Sequence, residues 1–130
     1  MMEALQPHQT NRGLGRQEII EPMAWEESSG TGIILYAIGI GIRLGILDKE
    51  TYMPVLKKGI DGLYQFCINA DYSIERCCRG CLCPGEGDMK GTVEAYLVIP
   101  YPLKNDSHGF GPIIMAMIEA YKNGIVNITK

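Results

Sequence analysis

Several things that the sequence lacks exclude broad classes of protein. It has no excess of charge of one sign, since 12 basic residues face 15 acidic ones. Nucleic-acid binding is therefore disfavoured, because phosphate recognition needs a basic surface. It has no apolar run of about 20 residues, the length that a membrane-spanning helix requires. Residues 1–16 also lack the apolar core of a signal peptide. We therefore expect a cytoplasmic protein without a membrane or nucleic-acid partner.

Local catalytic motifs are missing as well. The sequence contains no nucleophile elbow, no phosphate-binding loop and no dinucleotide fingerprint. No pair of carboxylates can be identified by spacing as the acid and base of a glycosidase. We expect no cofactor. The 130 residues, 46% of them hydrophobic, suit one domain over residues 1–130. Residues 1–27 of this domain are expected to form an irregular leader.

Glycine and cysteine are the abundant residue types, with 16 and 5 copies. An odd number of cysteines without an export signal favours reduced thiols over a disulfide scaffold. Four of them cluster closely enough to suggest zinc or an iron–sulfur centre, although their spacing is unlike that of structural zinc sites and no histidine is near them in the sequence. We expect no metal and keep a metal site as the alternative, with Cys77, Cys78, Cys81 and Cys83 as its ligands.

Three helices are predicted from the apolar pattern. The first begins at Ser28 or Ser29, with either serine as its cap, and is apolar on all sides to residue 47, which is typical of a central helix. The second has Pro54 in its first turn, runs to about Cys67 and is clearly amphipathic. The third extends over about residues 109–123 and stops at Gly124.

The remaining segments are predicted to be loops and short strands. Residues 68–92 form a long loop rich in glycine and cysteine, of a length that is often functional. Residues 92–99 have the composition of a strand that ends at Pro100 and Pro102. Ile19 and Ile20 could belong to another short strand. The expected fold class is therefore all-α, built from inner and outer helical hairpins, with a short strand segment.

The starts of the first and third helices carry the polar residues of interest. Glu27, Ser29 and Thr31 open one, and Asn105, Asp106 and His108 open the other. Exposed N–H groups and the positive end of the helix dipole make such starts natural sites for carboxylates or phosphates. The two starts could share a pocket, or each could simply be a capped helix.

Two aromatic side chains extend this candidate site. His108 could act as an acid–base group, since it lies among polar residues. Trp25 could stack on a sugar ring or could equally plug the base of the buried helix.

Together these residues resemble a known family. The segments 25–31, 36–38 and 41–45 are similar to the late helices of the unsaturated rhamnogalacturonyl hydrolases, glycoside hydrolase family 105, which are related to the unsaturated glucuronyl hydrolases of family 88. The similarity continues at Tyr52, in the pairs 54–55 and 62–63, and again at 105–106, 109 and 111–112. It therefore covers nearly the whole chain in the right order.

The resemblance implies a fold and a reaction. It implies part of an (α/α)6 toroid, with a pocket at the N-terminal ends of the inner helices. The family hydrates the double bond of a terminal 4,5-unsaturated uronic acid and so releases the neighbouring sugar, with an aspartate as acid and base. That aspartate and the family's arginine–tryptophan signature come earlier in the full enzymes, and nothing in this sequence matches them. We expect a C-terminal fragment that is inactive alone.

The resemblance also implies the pocket wall and leaves other functions open. Its substrate would be an unsaturated uronic-acid oligosaccharide of the rhamnogalacturonan type, held once the pocket is completed by an N-terminal portion. The candidate wall residues are Trp25, Glu27, Ser29, Thr31, Asn105, Asp106 and His108. One alternative is a non-catalytic, self-associating helical protein that binds sugars or a partner; the other is the metal protein built on the cysteine cluster.

Overall fold

The structure, a computed structural model, describes residues 1–78, 83–99 and 104–128. The described helices are α1 (Met2–Leu5), α2 (Ser29–Arg43), α3 (Lys49–Phe66), α4 (Val93–Leu97) and α5 (Phe110–Lys122). Two short strands, β1 (Gly15–Arg16) and β2 (Glu26–Glu27), pair antiparallel. The all-α class is confirmed.

The core lies where α2 packs against both α3 and α5. Leu35 and Ile38 of α2 are almost fully buried there, as are Leu56 and Ile60 of α3. Ala116 of α5 closes the cluster from the other side. The central helix and the amphipathic helix predicted from the sequence are therefore α2 and α3, and α5 forms the third wall of the core.

Helices α2 and α5 approach one another unusually closely. A methyl group on Gly32 would lie 2.8 Å from the carbonyl carbon of Pro112, and one on Gly39 would lie 2.7 Å from Cβ of Glu119. Any larger residue at these two positions would force the helices apart, because contacts under 3.0 Å are essentially never observed for a real Cβ. Glycine is required here for close packing, despite its cost in a helix.

An ion pair fixes the opposite end of the same helix pair. Glu119 is 2% exposed, and its carboxylate accepts from Arg43 Nε at 2.9 Å and from Lys122 Nζ at 2.9 Å. The hydrogen bond from Arg43 holds the pKa of Glu119 below its usual range, although burial opposes this. A buried carboxylate is tolerated because it has two cationic partners.

The leader at residues 1–27 packs onto the helices. Leu14 is fully buried in the core, and the side chain of Gln9 donates to the carbonyl of Val55 at 3.0 Å. The strand expected at Ile19 and Ile20 is wrong, because these residues lie in the turns between β1 and β2.

The strand predicted at residues 92–99 is also wrong, since Val93–Leu97 is a helix. The hydroxyl of Thr92 accepts from the amide of Ala95 at 3.3 Å and so caps it. Glu94, Ala95 and Leu97 favour a helix. Their preference, together with the Thr92 cap, outweighs the strand preference of the β-branched residues beside them. Pro100 and Pro102, the expected strand terminators, lie outside the described residues.

The predicted helix ends need correction. Helix α2 ends at Arg43 rather than at residue 47, because the chain turns back there and Gly45 takes φ +69°. Helix α3 begins at Lys49, so Pro54 lies in its second turn. The carboxylate of Asp48 accepts from the Thr51 amide at 2.8 Å and starts the helix early.

The end of α5 agrees with the sequence, since the helix stops at Lys122 and Gly124 has φ +85°. Within the described ranges, no helix combines the length and the apolar character needed to cross a membrane.

The close approach of α2 and α5 predicts a difference between two glycine variants. Gly32→Ala should lower the free energy of unfolding by roughly 1–3 kcal/mol, because the backbone of Pro112 would have to move. Gly111→Ala is the matched control, since it is also helical and has no atom within 4 Å of the added methyl group. Chemical denaturation should show the control unchanged or slightly more stable; equal losses in both variants would contradict the packing.

Candidate functional site

Glu27 forms the start of α2. Its side chain is buried, and its carboxylate accepts from the amides of Ser29, at 2.7 Å, and of Gly30. The Ser29 hydroxyl donates to the same carboxylate. A negative group at this position also complements the positive end of the helix dipole. Ser28 is the N-cap residue of α2, as predicted, but its side chain makes no capping hydrogen bond, and the Glu27 carboxylate accepts from the first amides instead.

The same carboxylate binds the cysteine-containing loop. The amide of Cys78 donates to Glu27 Oε1 at 3.1 Å, and Cys78 Sγ lies 3.7 Å from Ser29 Oγ. The amide of Ser28 donates to the carbonyl of Arg76 at 2.8 Å. Residues 76–78 are thus fixed alongside the start of α2. The Ser28 hydroxyl is fully buried and has no hydrogen-bond partner within the described part of the chain.

Asn105 joins that loop to the approach of α5. Its side-chain oxygen accepts from the amide of Ile74, and its own amide donates to the carbonyl of Ile74, both at 2.8 Å. Asn105 has φ +63°, a conformation that asparagine tolerates better than most residues. A turn at Ser107–Gly109 then leads into α5, and neither the N-cap residue of this turn, Asp106, nor that of α5, Gly109, makes a side-chain capping hydrogen bond.

His108 lies where these segments meet. Its Nε2 atom is 3.3 Å from Cys77 Sγ and 3.9 Å from Cys78 Sγ. On the other side of the ring, Nδ1 is 2.7 Å from a carboxylate oxygen of Asp106. The imidazole is therefore held between a carboxylate and two sulfur atoms.

The two cysteines differ in accessibility. Cys77 is fully buried, and burial raises the pKa of its thiol to about 12. Cys78 is half-buried, and burial raises the pKa of its thiol as well. Burial thus favours the protonated thiol at both positions.

We call this meeting point the helix-start junction. It comprises Glu27, Ser29, Cys77, Cys78, Asp106 and His108. The structure thus brings four of the seven candidate wall residues into one place, and two cysteines with them. Cys77, Asp106 and His108 can each offer one ligand atom, and these atoms lie within 4.8 Å of one another.

The other three candidates have different surroundings. Thr31 accepts from the amide of Gly15 at 2.8 Å and donates to the Glu27 carbonyl, so it ties β1 to α2. Asn105 is engaged with Ile74, as described above. Trp25 lies next to β2, where its carbonyl accepts from the amide of Gln17 at 3.0 Å.

No histidine is near the cysteines in the sequence, but the inference that none lies beside them in the fold is wrong. His108 follows Cys77 by 31 residues, and the proximity arises from the packing of α5 against α2. Cys83 does not share the surroundings of Cys77 and Cys78. It is exposed, and a methyl group on Gly91 would lie 3.3 Å from its sulfur. Cys81 lies outside the described residues. No local signal in the sequence indicates this proximity.

Solved structures that share the fold of this chain include glycoside hydrolases of the α/α-toroid class. A possible member of the GH105 family from Salmonella enterica serovar Paratyphi A has a TM-score of 0.78 at 22% identity, covering 94% of this chain and 30% of its own. A glycoside hydrolase of family 105 from C. acetobutylicum has a TM-score of 0.76 at 26% identity, with 93% and 35% covered. The partial toroid predicted from the sequence is confirmed.

Comparison of the sequence with known families indicates the same class of protein. The family model described as Glycosyl Hydrolase Family 88 matches residues 1–124, and the chain belongs to that family. An unsaturated 3S-rhamnoglycuronyl hydrolase from Formosa agariphila is 29% identical over 119 residues, which are 88% of this chain and 27% of the relative. The chain thus spans between a quarter and about a third of the length of these relatives.

Glu27 is predicted to hold the junction together. Glu27→Ala removes the acceptor of four hydrogen bonds and should lower the free energy of unfolding by roughly 1–3 kcal/mol. Glu50→Ala is the control, because Glu50 is exposed in the first turn of α3 and its loss should cost less than about 1 kcal/mol. Thermal and chemical unfolding measure the difference. A Glu50 variant as unstable as the Glu27 variant would show that the Glu27 carboxylate has no special role.

Proposed function

We propose that this chain supplies part of the substrate pocket of an unsaturated glycuronyl hydrolase, whose substrate is an oligosaccharide ending in a 4,5-unsaturated uronic acid. The observation that carries the proposal is the family match over residues 1–124, together with the convergence of two helix starts at one junction. The name of the Formosa agariphila relative supports the substrate class. In this account the junction forms a wall of the pocket.

Within that wall, we assign the contact with the sugar to Asp106 and His108. Their side chains are 26% and 38% exposed, whereas Glu27 and Ser29 are buried. The carboxylate of Glu27 already occupies the start of α2, so a uronate would not bind to that helix end. A carboxylate accepts hydrogen bonds through two oxygens, and Asp106 contacts His108 Nδ1 through one of them, so the other can accept from a sugar hydroxyl beside the ring of His108.

The proposed reaction needs an acid–base aspartate that this chain does not provide. No aspartate in the sequence matches the one that the family resemblance implies, and Asp106 is engaged with His108. We therefore propose that residues 1–130 form a fragment that binds the sugar weakly and does not turn it over alone. Hydration of the double bond would require the rest of the toroid.

Two readouts on the purified chain test this function. With an unsaturated galacturonyl-rhamnose, the ultraviolet absorbance of the double bond should stay constant. In NMR titrations with chelator present, the amides of residues 106–109 and of Cys78 should shift. His108→Gln should weaken these shifts several-fold, because it removes the proposed contact.

The control is His8→Gln, which changes the other histidine of the chain and should bind like the wild type. A saturated disaccharide should shift the same amides less. Turnover by the chain alone would contradict its proposed inactivity. Shifts confined to residues away from the junction would contradict its role in binding.

A second candidate function, self-association, is favoured by an exposed apolar stripe. Phe110, Ile114, Ile118 and Tyr121 follow one another along α5 and are 36%, 54%, 47% and 72% exposed. Their spacing places them on one helix face. Ile68 and Tyr72 extend this surface into a shallow groove. A contiguous apolar surface of this kind is usually covered by another protein surface.

The stripe predicts the oligomeric state of the isolated chain. Sedimentation should show a species heavier than the 14.4 kDa monomer, and Ile118→Glu should shift it towards the monomer. Ile20→Glu is the control: Ile20 is 78% exposed but lies in the leader, so this variant should associate like the wild type. A wild-type chain that remains monomeric at millimolar concentration would exclude self-association.

A further inference from the structure

The thiol of Cys77 lies behind the residues that are assigned to the sugar in the helix-start junction. Its sulfur is 3.3 Å from His108 Nε2, and Nδ1 on the other side of the ring is 2.7 Å from Oδ1 of Asp106. Cys77 is 0% exposed and cannot touch a sugar, whereas the side chains of Asp106 and His108 are partly exposed. Any part that Cys77 has in recognition must therefore act through the ring of His108.

Hydrogen-bond chemistry fixes the direction of both contacts. An ionised carboxylate can only accept, so the ring of His108 donates from Nδ1 to Asp106. In the neutral imidazole the lone pair is then on Nε2, which faces the sulfur of Cys77. Burial raises the pKa of this thiol to about 12. The sulfur therefore keeps its proton and can donate a hydrogen bond to Nε2.

Two contacts compete with this hydrogen bond, and both are longer. The carbonyl oxygen of Cys78 lies 3.5 Å from Cys77 Sγ and is the alternative acceptor for the thiol. The sulfur of Cys78 lies 3.9 Å from His108 Nε2 and is the alternative donor to the ring. The contact between Cys77 and His108 is the shortest of the three, which favours it as the hydrogen bond that forms.

Gly109 holds the thiol beside the ring. A methyl group on this glycine would lie 2.7 Å from Cys77 Sγ and 3.0 Å from Cys77 Cβ, a separation that real Cβ atoms essentially never show. Gly109 is buried and follows His108 directly in the chain. The backbone that carries the imidazole thus also forms the wall against which the thiol packs, and any larger residue at Gly109 would displace the sulfur.

We propose that Cys77 is a positioning residue for the sugar contact. Its thiol donates to Nε2 of His108, and the ring donates from Nδ1 to one oxygen of Asp106, which leaves the second oxygen oriented towards a sugar hydroxyl. We call these three side chains the thiol relay. The positioning role rests on the proposed function for the identity of the ligand, whereas the relay is a property of the unbound chain. Orienting the acceptor before binding lowers the cost of ordering it.

The same three side chains resemble a nucleophilic cysteine–histidine–aspartate triad, but burial gives the sulfur a different role. A nucleophilic thiol must lose its proton and reach an electrophilic carbon. Cys77 is fully buried, and its raised pKa keeps the proton on sulfur. The thiol is therefore a hydrogen-bond donor that orients the ring.

The relay is tested first without a ligand, by nitrogen NMR of a chain with labelled histidine at about pH 8, where an ordinary histidine is neutral. His108→Gln identifies the resonances, since the chain has two histidines. The ring of His108 should carry its proton on Nδ1 and a hydrogen-bonded lone pair on Nε2. Cys77→Ala should move the Nε2 resonance towards that of a free lone pair, and Gly109→Ala should do the same by displacing the sulfur. Cys77→Ser keeps a donor and should stay closer to the wild type.

The sugar titration then tests what the relay does. Cys77→Ala and Gly109→Ala should each weaken binding of the unsaturated galacturonyl-rhamnose roughly 3–10-fold, the effect of losing one hydrogen bond. Neither variant changes a side chain that is assigned to the sugar. Cys77→Ser should recover most of the loss. The controls are Cys83→Ala, which removes an exposed thiol, and Gly111→Ala, whose methyl group meets no atom within 4 Å. Both should bind like the wild type.

The outcomes separate the relay from the proposed function. A proton on Nε2 of His108 in the wild type, which needs no variant to fold, would overturn the relay, and so would alkylation of Cys77 in the folded chain. Sugar binding that is unchanged in Cys77→Ala would overturn the positioning role and leave the proposed function standing. A wild type that shows the predicted ring state but binds no sugar would contradict the proposed function, and the positioning role with it.

Discussion

The structure depends on the backbone contact between α2 and α5 at Gly32 and Pro112. Because no side chain separates the helices there, their first turns come close enough for loop residues to bridge them. At the other end, the buried carboxylate of Glu119 joins Arg43 on α2 to Lys122 on α5. The ion pair thus fixes the C-terminal ends of α2 and α5, and the polar side chains of the helix-start junction lie at their N-terminal ends.

At the N-terminal end of α2, one residue both caps the helix and contributes to the helix-start junction. Glu27 accepts from the first amides of α2 and also from the Cys78 amide, so a single carboxylate both caps a helix and positions the loop that carries Cys78. This has a chemical consequence, because the helix dipole of α2 is already compensated. The positive helix end is no longer available to an anion, and for this reason the proposed contact with the sugar is assigned to Asp106 and His108.

Much of the fold followed from the sequence, and the failures have physical causes. The apolar pattern placed α2, α3 and α5 to within a few residues, because burial imposes a period of 3.6 on each. The β-branched side chains in residues 92–99 favour a strand, but the Thr92 cap stabilises a helix there instead. The early start of α3 was missed because the Asp48 cap outweighed the expectation that proline begins a helix.

The sequence indicated which polar residues belong to the site, but not how their side chains are arranged. The two helix starts could be singled out by their polar residues, yet nothing local indicated that His108 faces Cys77, a proximity that helix packing creates. The most direct test is therefore the backbone contact itself. In a labelled sample, the account predicts a nuclear Overhauser effect between the α protons of Gly32 and the amide proton of Ile113. Its absence, with α2 and α5 both helical by chemical shift, would contradict the account.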